Sequence, residues 1–298
     1  MDISIIVPTY NRKIFLENCL KSLFNQTYPK NQYEIIVVDD GSTDGTREMI
    51  KELKTDSNLR YFYQENQGWA AARNLGIKNA KGKIIAFIDS DCLAFPDWLR
   101  IIALSFKKPA KAVGGIGGPS VARFYPQNLI ARIDQAILNY FIHKFKKGKE
   151  VFFLPTSNLS FKKEIFTVIG DFDLSFNREA GEDTEFAWRL KKNGYKLIYE
   201  PKMRVEHLQR STLGSFLLQN FYYGRGIYLV KKKHPDFGNV QSDPLADLQR
   251  YFHELFIFPI QFTRIFPRRL EKIMALFLSF LRQIVFFLGI IAGKVKYG

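Results

Sequence analysis

The feature that most constrains this chain is an alternation in its first hundred residues, where β-branched apolar runs of strand length take turns with stretches of helical periodicity. Residues 3–8 (ISIIVP), 34–38, 59–63 and 83–88 read as strands. Residues 13–24, 43–53 and 70–79 read as the helices between them, the last ending near Gly82. Strand–helix–strand units of this kind build an α/β fold with a mostly parallel central sheet flanked by helices. In the first helix Ile14, Leu16, Leu20, Leu23 and Phe24 fall on roughly one face, the side expected to meet the sheet. Ser42 or Thr43 is the expected cap of the second helix. Ligands of open α/β sheets gather outside the carboxyl ends of the strands, and two acidic groups stand at such ends here: Asp39-Asp40 and Asp89-Ser90-Asp91.

Beyond residue 110 the alternation decays. GGIGGP (residues 114–119) reads as a turn-rich break, residues 143–149 (HKFKKGK) as an exposed basic loop, and residues 152–207 as a shorter mixed portion whose last strand covers residues 203–205. The 298 residues hold 44 Lys and Arg against 29 Asp and Glu, an excess that calls for an anionic partner: nucleic acid, membrane or phosphorylated substrate. Hydrophobic residues at 46% exclude a disordered, collagen-like or disulfide-stapled chain. Cys19 and Cys92 lack metal-ligand spacing and suit a reducing compartment, and the short apolar run in MDISIIVPTYNR is no signal sequence, so the catalytic mass is expected in the cytosol.

The tail differs. Residues 260–298 carry seven basic residues against Glu271 alone, and residues 273–293 form an apolar run of 21 that Arg282 and Gln283 interrupt. Its 14 Ile, Leu, Val, Phe and Met at about −0.5 kcal/mol each outweigh about +3 kcal/mol for a central Arg, so insertion into a bilayer is one reading. An amphipathic helix at the membrane interface and a hairpin that forms a homodimer are the others.

Four blocks in one order, IIVPTYNR (residues 5–12), VVDDGSTDGT (37–46), ENQGWAAARNLG (65–76) and FIDSDCLAFPDWL (87–99), followed by GEDTEFAWRL (181–190), resemble the nucleotide-sugar-dependent family 2 glycosyltransferases. The resemblance covers roughly residues 1–210 and implies the GT-A fold, with residues 211–298 as a helical, basic and apolar region associated with a membrane. It also implies roles. Pro8, Thr9, Tyr10 and Asn11 line the nucleotide-sugar site; Asp40 contacts the base, with Asp39 in support or on the ribose; Gly68 allows close backbone approach. Arg73 faces a diphosphate or a structural carboxylate. Asp89, Ser90 and Asp91 form the DxD element, in which Asp91 binds Mn²⁺ or Mg²⁺ and Asp89 meets the ribose or a metal-bound water. His207 is a second metal ligand, ahead of His143, His234 and His253. Asp183 is the general base of an inverting transfer, Glu182 orients it or the acceptor, and Asn158 lies near the transferred sugar. Glu185, Trp188 and Arg189 are expected to pack or pair on the following helix.

The processive synthases of the family carry Gln-x-x-Arg-Trp after this point, whereas this chain reads QNFYYGRG (residues 219–226) with no Trp, and Arg225 is open to two readings, a contact to a diphosphate or lipid phosphate and an ordinary surface Arg in a Gly-flanked turn. The resemblance therefore implies transfer of a single sugar, from a UDP-sugar by preference, to a lipid-linked or saccharide acceptor for a cell-surface polysaccharide at the cytoplasmic face of the membrane. A polyprenyl-phosphate acceptor, which needs no base, is the alternative. Nucleic-acid binding has only the net charge in its favour, and a dinucleotide oxidoreductase would need G-x-G-x-x-G where the chain has PTYNR.

Overall fold

Residue by residue, β1 (Ile3–Thr9) divides its side chains between the two faces of a sheet. Ile3, Ile5 and Val7 join a core with Leu16, Leu20 and Leu23 of α1 (Lys13–Phe24), whereas Ile6 joins a second core with Ala70, Ala72 and Ile77 of α3 (Trp69–Asn79). This period of two is the sequence pattern made physical, since burial on both faces selects a continuous apolar run. The structure is a computed structural model and describes residues 1–53, 58–107, 112–122, 128–144, 148–176, 180–208, 211–237, 266 and 268–298.

The remaining elements follow in chain order. They are β2 (Tyr33–Asp39), α2 (Thr46–Leu53), β3 (Leu59–Tyr63), β4 (Ile84–Ile88), β5 (Cys92–Ala94), α4 (Trp98–Lys107), β6 (Val113–Gly117), β7 (Ser120–Ala122), α5 (Leu129–Lys144) and β8 (Glu150–Val151). After them come β9 (Asn158–Lys162), α6 (Glu164–Ile169), α7 (Glu182–Lys192), β10 (Lys196–Tyr199), β11 (Val205–His207), α8 (Leu213–Lys233) and α9 (Arg269–Tyr297). Among the described residues, eight strands form the main sheet in the order β3-β2-β1-β4-β9-β6-β10-β8, and β5-β11-β7 form a small one. The pairs β3–β2, β2–β1, β1–β4 and β6–β10 are parallel, while β9 runs antiparallel to both β4 and β6. The order reverses between β1 and β4, where β1–β4 pairing stops at Ile6 and Phe87 while β1 continues beside β2 to Thr9. Pro8, with no N–H to donate, stands on that unpaired stretch. The fold thus opens a crevice at its topological switch point.

Several expectations need correction. The glycines of residues 114–117 are no turn: they form most of β6, a buried strand between β9 and β10. A Cβ on Gly115 would lie 2.7 Å from both Leu197 and Phe161, and one on Gly117 would lie 2.5 Å from the Asn158 carbonyl oxygen. Close packing, not flexibility, selects glycine there. Helix α2 starts at Thr46, and neither Ser42 nor Thr43 caps it: Asp44 Oδ1 accepts from Thr46 N and Oγ1 at 3.2 and 2.6 Å. Ile14 is 70% exposed, so Cys19 rather than Ile14 completes the buried face of α1. The last strand of the mixed portion is residues 205–207, two further on than expected. Arg225 lies inside α8, not in a turn. Residues 143 and 144 end α5, while residues 145–147 of the basic stretch and His253 lie outside the described residues.

The chain divides into two compact units. The first comprises the sheets and the helices packed on them. The second holds α8, α9 and residues 128–137. Within it α8 and α9 cross through small residues, for a Cβ on Gly224 would lie 2.0 Å from the Phe286 carbonyl oxygen and one on Gly289 would lie 2.1 Å from that of Phe221. Arg132 of α5 donates to both carboxylate oxygens of Glu271 at 2.9 and 3.3 Å.

Candidate active site

Each loop at the crevice is fixed by polar side chains from its neighbours. Asn11, the one described non-glycine residue with positive φ (50°), turns the chain between β1 and α1. Its backbone N donates to Ser42 Oγ and its Oδ1 accepts from Thr43 N, both at 2.8 Å, so the loops after β1 and β2 are stitched together. Backbone strain held by such contacts is a feature of functional loops. Tyr10 is exposed, whereas the Thr9 hydroxyl is buried and has no hydrogen-bond partner.

At the end of β2 both carboxylates are buried and serve the protein's own backbone. Asp39 Oδ1 accepts from Ser42 N at 2.8 Å and Oδ2 from the Tyr61 hydroxyl at 2.7 Å. Burial, and then this bond, push the Tyr61 hydroxyl up. Asp40 accepts from Gln64 Nε2 at 2.7 Å, Gln67 N at 2.8 Å and Gly68 N at 2.9 Å. Gly68, at φ 92°, starts α3 in a conformation that only glycine adopts at low cost, and Asp40 anchors that start.

The turn after β4 is different in kind. Cys92 N donates to the Asp89 carbonyl at 3.0 Å, which closes the turn, and Leu208 N donates to the Asp91 carbonyl at 3.2 Å, which ties it to the end of β11. The register of β11 on β5 sets His207 opposite Cys92 and so beside Asp91. The Asp91 carboxylate pairs through Oδ2 with Arg12, while Oδ1 is buried 3.4 Å from His207 Nε2 in a geometry that makes no directed hydrogen bond. Burial alone would raise this carboxyl, but His207 and then Arg12 more than offset it and hold the group well below the usual carboxylate range. Arg12 also lies 6.0 Å from the Trp69 ring.

Could these residues hold a divalent cation? The Asp91 carboxylate, the His207 imidazole and the Cys92 thiol present ligand atoms all within 4.8 Å of one another. Burial pushes the Cys92 thiol well above its ordinary value, and a neutral thiol is a poor ligand for a hard ion, so Asp91 and His207 are the useful pair. One carboxylate, whose Oδ1 has no directed hydrogen bond among the described residues, and one imidazole would fit Mn²⁺ or Mg²⁺ as a partial ligand set.

The third group sits at the start of α7. Arg73, buried at 4% exposure, donates from Nη1 to Glu182 Oε1 at 2.7 Å and pairs from Nη2 with Asp89 Oδ1 at 3.3 Å. It is thus a bridge between the ED helix and the DxD turn. Burial lowers the Arg73 pKa, but Glu182, Asp89 and Asp183 raise it more, so the bridge stays charged. Next to it Asp183 is pushed up to about 8, by desolvation first and the Glu182 charge second, with Arg73 opposing. Its Oδ1 accepts from Thr184 N at 2.8 Å. A carboxylate tuned toward neutrality can take a proton from a hydroxyl far better than one at its ordinary value.

The expected residues therefore separate. Asp91 and His207 form one charged group with Arg12, Glu182, Arg73 and Asp89 form a second beside Asp183, and Pro8, Thr9, Tyr10, Asn11 and Gly68 belong to the neighbouring loops. Ser90 is buried at 2% exposure inside the turn. Asn158 is fully buried, with Oδ1 accepting from Trp98 Nε1 at 2.9 Å and Nδ2 donating to the Pro119 and Met203 carbonyls at 3.1 and 2.7 Å, so every polar atom is already engaged. Glu185 and Arg189 pair at 2.8 Å along α7 as expected. Arg12 is the residue that sequence reasoning passed over; its signal was a lone cation in PTYNR, one loop away from a turn rich in carboxylates.

Comparison with known proteins gives a coherent result. The family model described as Glycosyl transferase family 2 matches residues 4–170. A dolichyl N-acetyl-alpha-D-glucosaminyl phosphate 3-beta-D-2,3-diacetamido-2,3-dideoxy-beta-D-glucuronosyltransferase from Methanococcus voltae is 29% identical over 279 residues, covering 87% of this chain and 78% of the relative. Glycosyltransferase AglE from Haloferax volcanii is 32% identical over 232 residues, covering 75% and 72%. Among solved structures, the mannosyltransferase PcManGT from Pyrobaculum calidifontis, in complex with GDP-Man and Mn²⁺, superposes with TM-score 0.70 over 99% of this chain and 88% of that one, at 18% identity. That last likeness is one of fold.

Proposed function

The chain belongs to glycosyl transferase family 2, has the GT-A fold, and is a glycosyltransferase; from that premise we propose that it moves a single sugar, with inversion, from a nucleotide-diphosphate sugar to an acceptor hydroxyl. UDP-sugars are the favoured donors. The acceptor is a lipid-linked glycan or a precursor of a cell-surface polysaccharide, and the enzyme works at the cytoplasmic face of the membrane. Support for the lipid-linked acceptor comes from the Methanococcus voltae relative, whose name gives a dolichyl-linked acceptor, and from an apolar C-terminal helix of membrane length, α9.

The observation that carries the reading is the Glu182–Arg73–Asp89 bridge, which fixes the base on α7 relative to the acidic turn after β4. The two chemical tasks of the reaction need that fixed distance. Asp183 accepts the proton of the attacking hydroxyl, and its raised pKa suits the task at neutral to mildly alkaline pH. Arg73 and Glu182 keep Asp183 in place. Asp91 and His207 would hold Mn²⁺ or Mg²⁺, and the neighbouring DxD residue Asp89 would meet the ribose or a metal-bound water. When bound, the ion offsets the charge that builds on the departing nucleoside diphosphate. The loop of residues 8–11 and the Gly68 turn form the walls against which the nucleoside is bound.

The test is the transfer reaction with Asp183→Asn. The variant should bind the donor like wild type and lose transfer. Unchanged turnover would remove Asp183 from the mechanism and favour an acceptor that is already an anion, such as a polyprenyl phosphate.

A further inference from the structure

The second unit has a surface that the transfer reaction does not use. Between Lys272 and Lys294 every exposed residue of α9 is apolar, and Ile273, Met274, Phe277, Ile284, Leu288 and Ile291 recur at helical spacing as one stripe. The opposite side of the helix is covered: Ala275, Leu278, Ser279, Arg282, Gly289 and Gly293 are buried. The stripe is bounded by cations at both ends, with Arg268, Arg269 and Lys272 before it and Lys294 and Lys296 after it. Lys231, Lys232 and Lys233 add to the second end, because Lys232 donates to the Tyr297 carbonyl.

Charge selects the occupant. A second copy seated on this stripe, in either direction, would set Lys and Arg against Lys and Arg. Anionic lipid headgroups instead favour each cation near the surface, while the stripe enters the acyl boundary. Direction decides whether the helix lies along the bilayer or crosses it. The apolar interval is about 33 Å long, so α9 is long and apolar enough to cross. Yet α8 and α9 run parallel, since Phe221 meets Gly289, Gly224 meets Ile290 and Arg225 meets Gly293. A crossing α9 would take α8 with it, including Gln219, Asn220 and Arg225, and the chain between them would have to cross back. The sequence of residues 234–268 has no apolar run of that length, being broken by Asp236, Asp243, Asp247, Arg250, Glu254 and Arg264. Resting on the membrane-surface reading above, we infer that α9 lies in the plane of an anionic bilayer, apolar stripe inward, with both basic ends at the headgroups of one leaflet.

The experiment is flotation of the full chain with vesicles of phosphatidylcholine alone or mixed with phosphatidylglycerol. The chain should float with the mixed vesicles, be released by alkaline carbonate, and bind about fivefold more weakly for each cation removed in Lys294→Gln and Lys296→Gln. Phe277→Asp with Leu288→Asp should abolish flotation. Cysteines placed at Arg268 and Gly298 should both react with an impermeant maleimide outside sealed vesicles, Cys19 and Cys92 being buried. Carbonate-resistant binding with the two positions on opposite sides would overturn the inference in favour of a span. A dimer that Phe277→Asp dissociates, with no vesicle binding, would overturn it in favour of a second copy. Donor-induced thermal shift on the same variants reports the catalytic unit separately: its loss in wild type with flotation intact counts against the glycosyltransferase donor assignment and leaves the surface assignment standing.

Discussion

Two strand ends carry paired carboxylates, and they are used in opposite ways. After β2, Asp39 and Asp40 are buried and accept bonds from backbone N–H groups and uncharged side chains of the following loops and of β3. After β4, Asp89 and Asp91 face Arg73, Arg12 and His207, which are side-chain partners. A backbone donor left buried without its acceptor costs stability, whereas an arginine or an imidazole can swing aside for a cation or a phosphate. The same residue type at the same place in the fold therefore holds loops together in one case and, in the function proposed above, serves the reaction in the other.

Substitutions can break that contrast. Asp183→Asn should lower transfer by about 10²–10⁴-fold, the range for loss of a positioned base, with the folded state intact by thermal melt. Asp91→Ala should abolish divalent-ion binding, read by calorimetry with Mn²⁺, with a smaller stability loss in the metal-free protein than Asp40→Ala, because it leaves side-chain rather than backbone donors without their acceptor. Asp40→Ala should do the reverse. It leaves Gln67 N and Gly68 N without acceptors, so a loss of about 3 kcal/mol in unfolding free energy is expected, read by urea titration, with Mn²⁺ affinity retained in the folded fraction. Equal stability losses at the two positions would erase the distinction.

Smaller effects sharpen it. Burial and the Glu182 charge push Asp183 up to about 8, and the proposed base must be ionised, so kcat/KM for transfer should rise with pH through about 8. Because the folded state binds that proton more tightly than the unfolded chain, the same group lowers stability as pH rises from its unfolded value of about 4 toward 8. Glu182→Gln removes the neighbouring negative charge and should move the acid limb of the pH–rate profile to lower pH; a limb that does not move would separate Asp183 from its assigned neighbour. Arg12→Gln removes the cation now paired with Asp91 and should strengthen Mn²⁺ binding several-fold when no nucleotide is present, measured by calorimetry at fixed ionic strength.

How far the sequence reached depended on which interactions set each position. The strands around β1 and the carboxylates at their ends were readable because burial on both faces and strand-end position are local patterns. The glycines of β6 and those around Arg225 were misread as turns. Their glycine identity reflects what a Cβ would strike, Phe161 and Leu197 at Gly115, the Phe286 carbonyl at Gly224 and the Ala180 carbonyl at Gly226, and such contacts come from residues distant in sequence. Ser42 looked like a cap, but Asn11 uses it to join two loops. Asn158 was placed near the sugar by the resemblance of PTSNLSF alone, and that local string gives no hint that Trp98, Pro119 and Met203 will engage all its side-chain polar atoms. Arg12 went unassigned for the same reason, as its partner Asp91 lies 79 residues away.

The most direct measurement is a thermal-shift screen of the full chain against UDP-, GDP-, dTDP- and CMP-sugars, each with Mn²⁺, Mg²⁺ or EDTA, repeated on Asp91→Ala and Asp40→Asn. A donor that binds the native state raises the melting temperature. The account predicts a shift with one donor class, present with a divalent ion, absent in EDTA and in Asp91→Ala, and retained in Asp40→Asn from a lower starting temperature. A shift that is indifferent to EDTA and to Asp91→Ala, or none with any donor in folded protein, would contradict it.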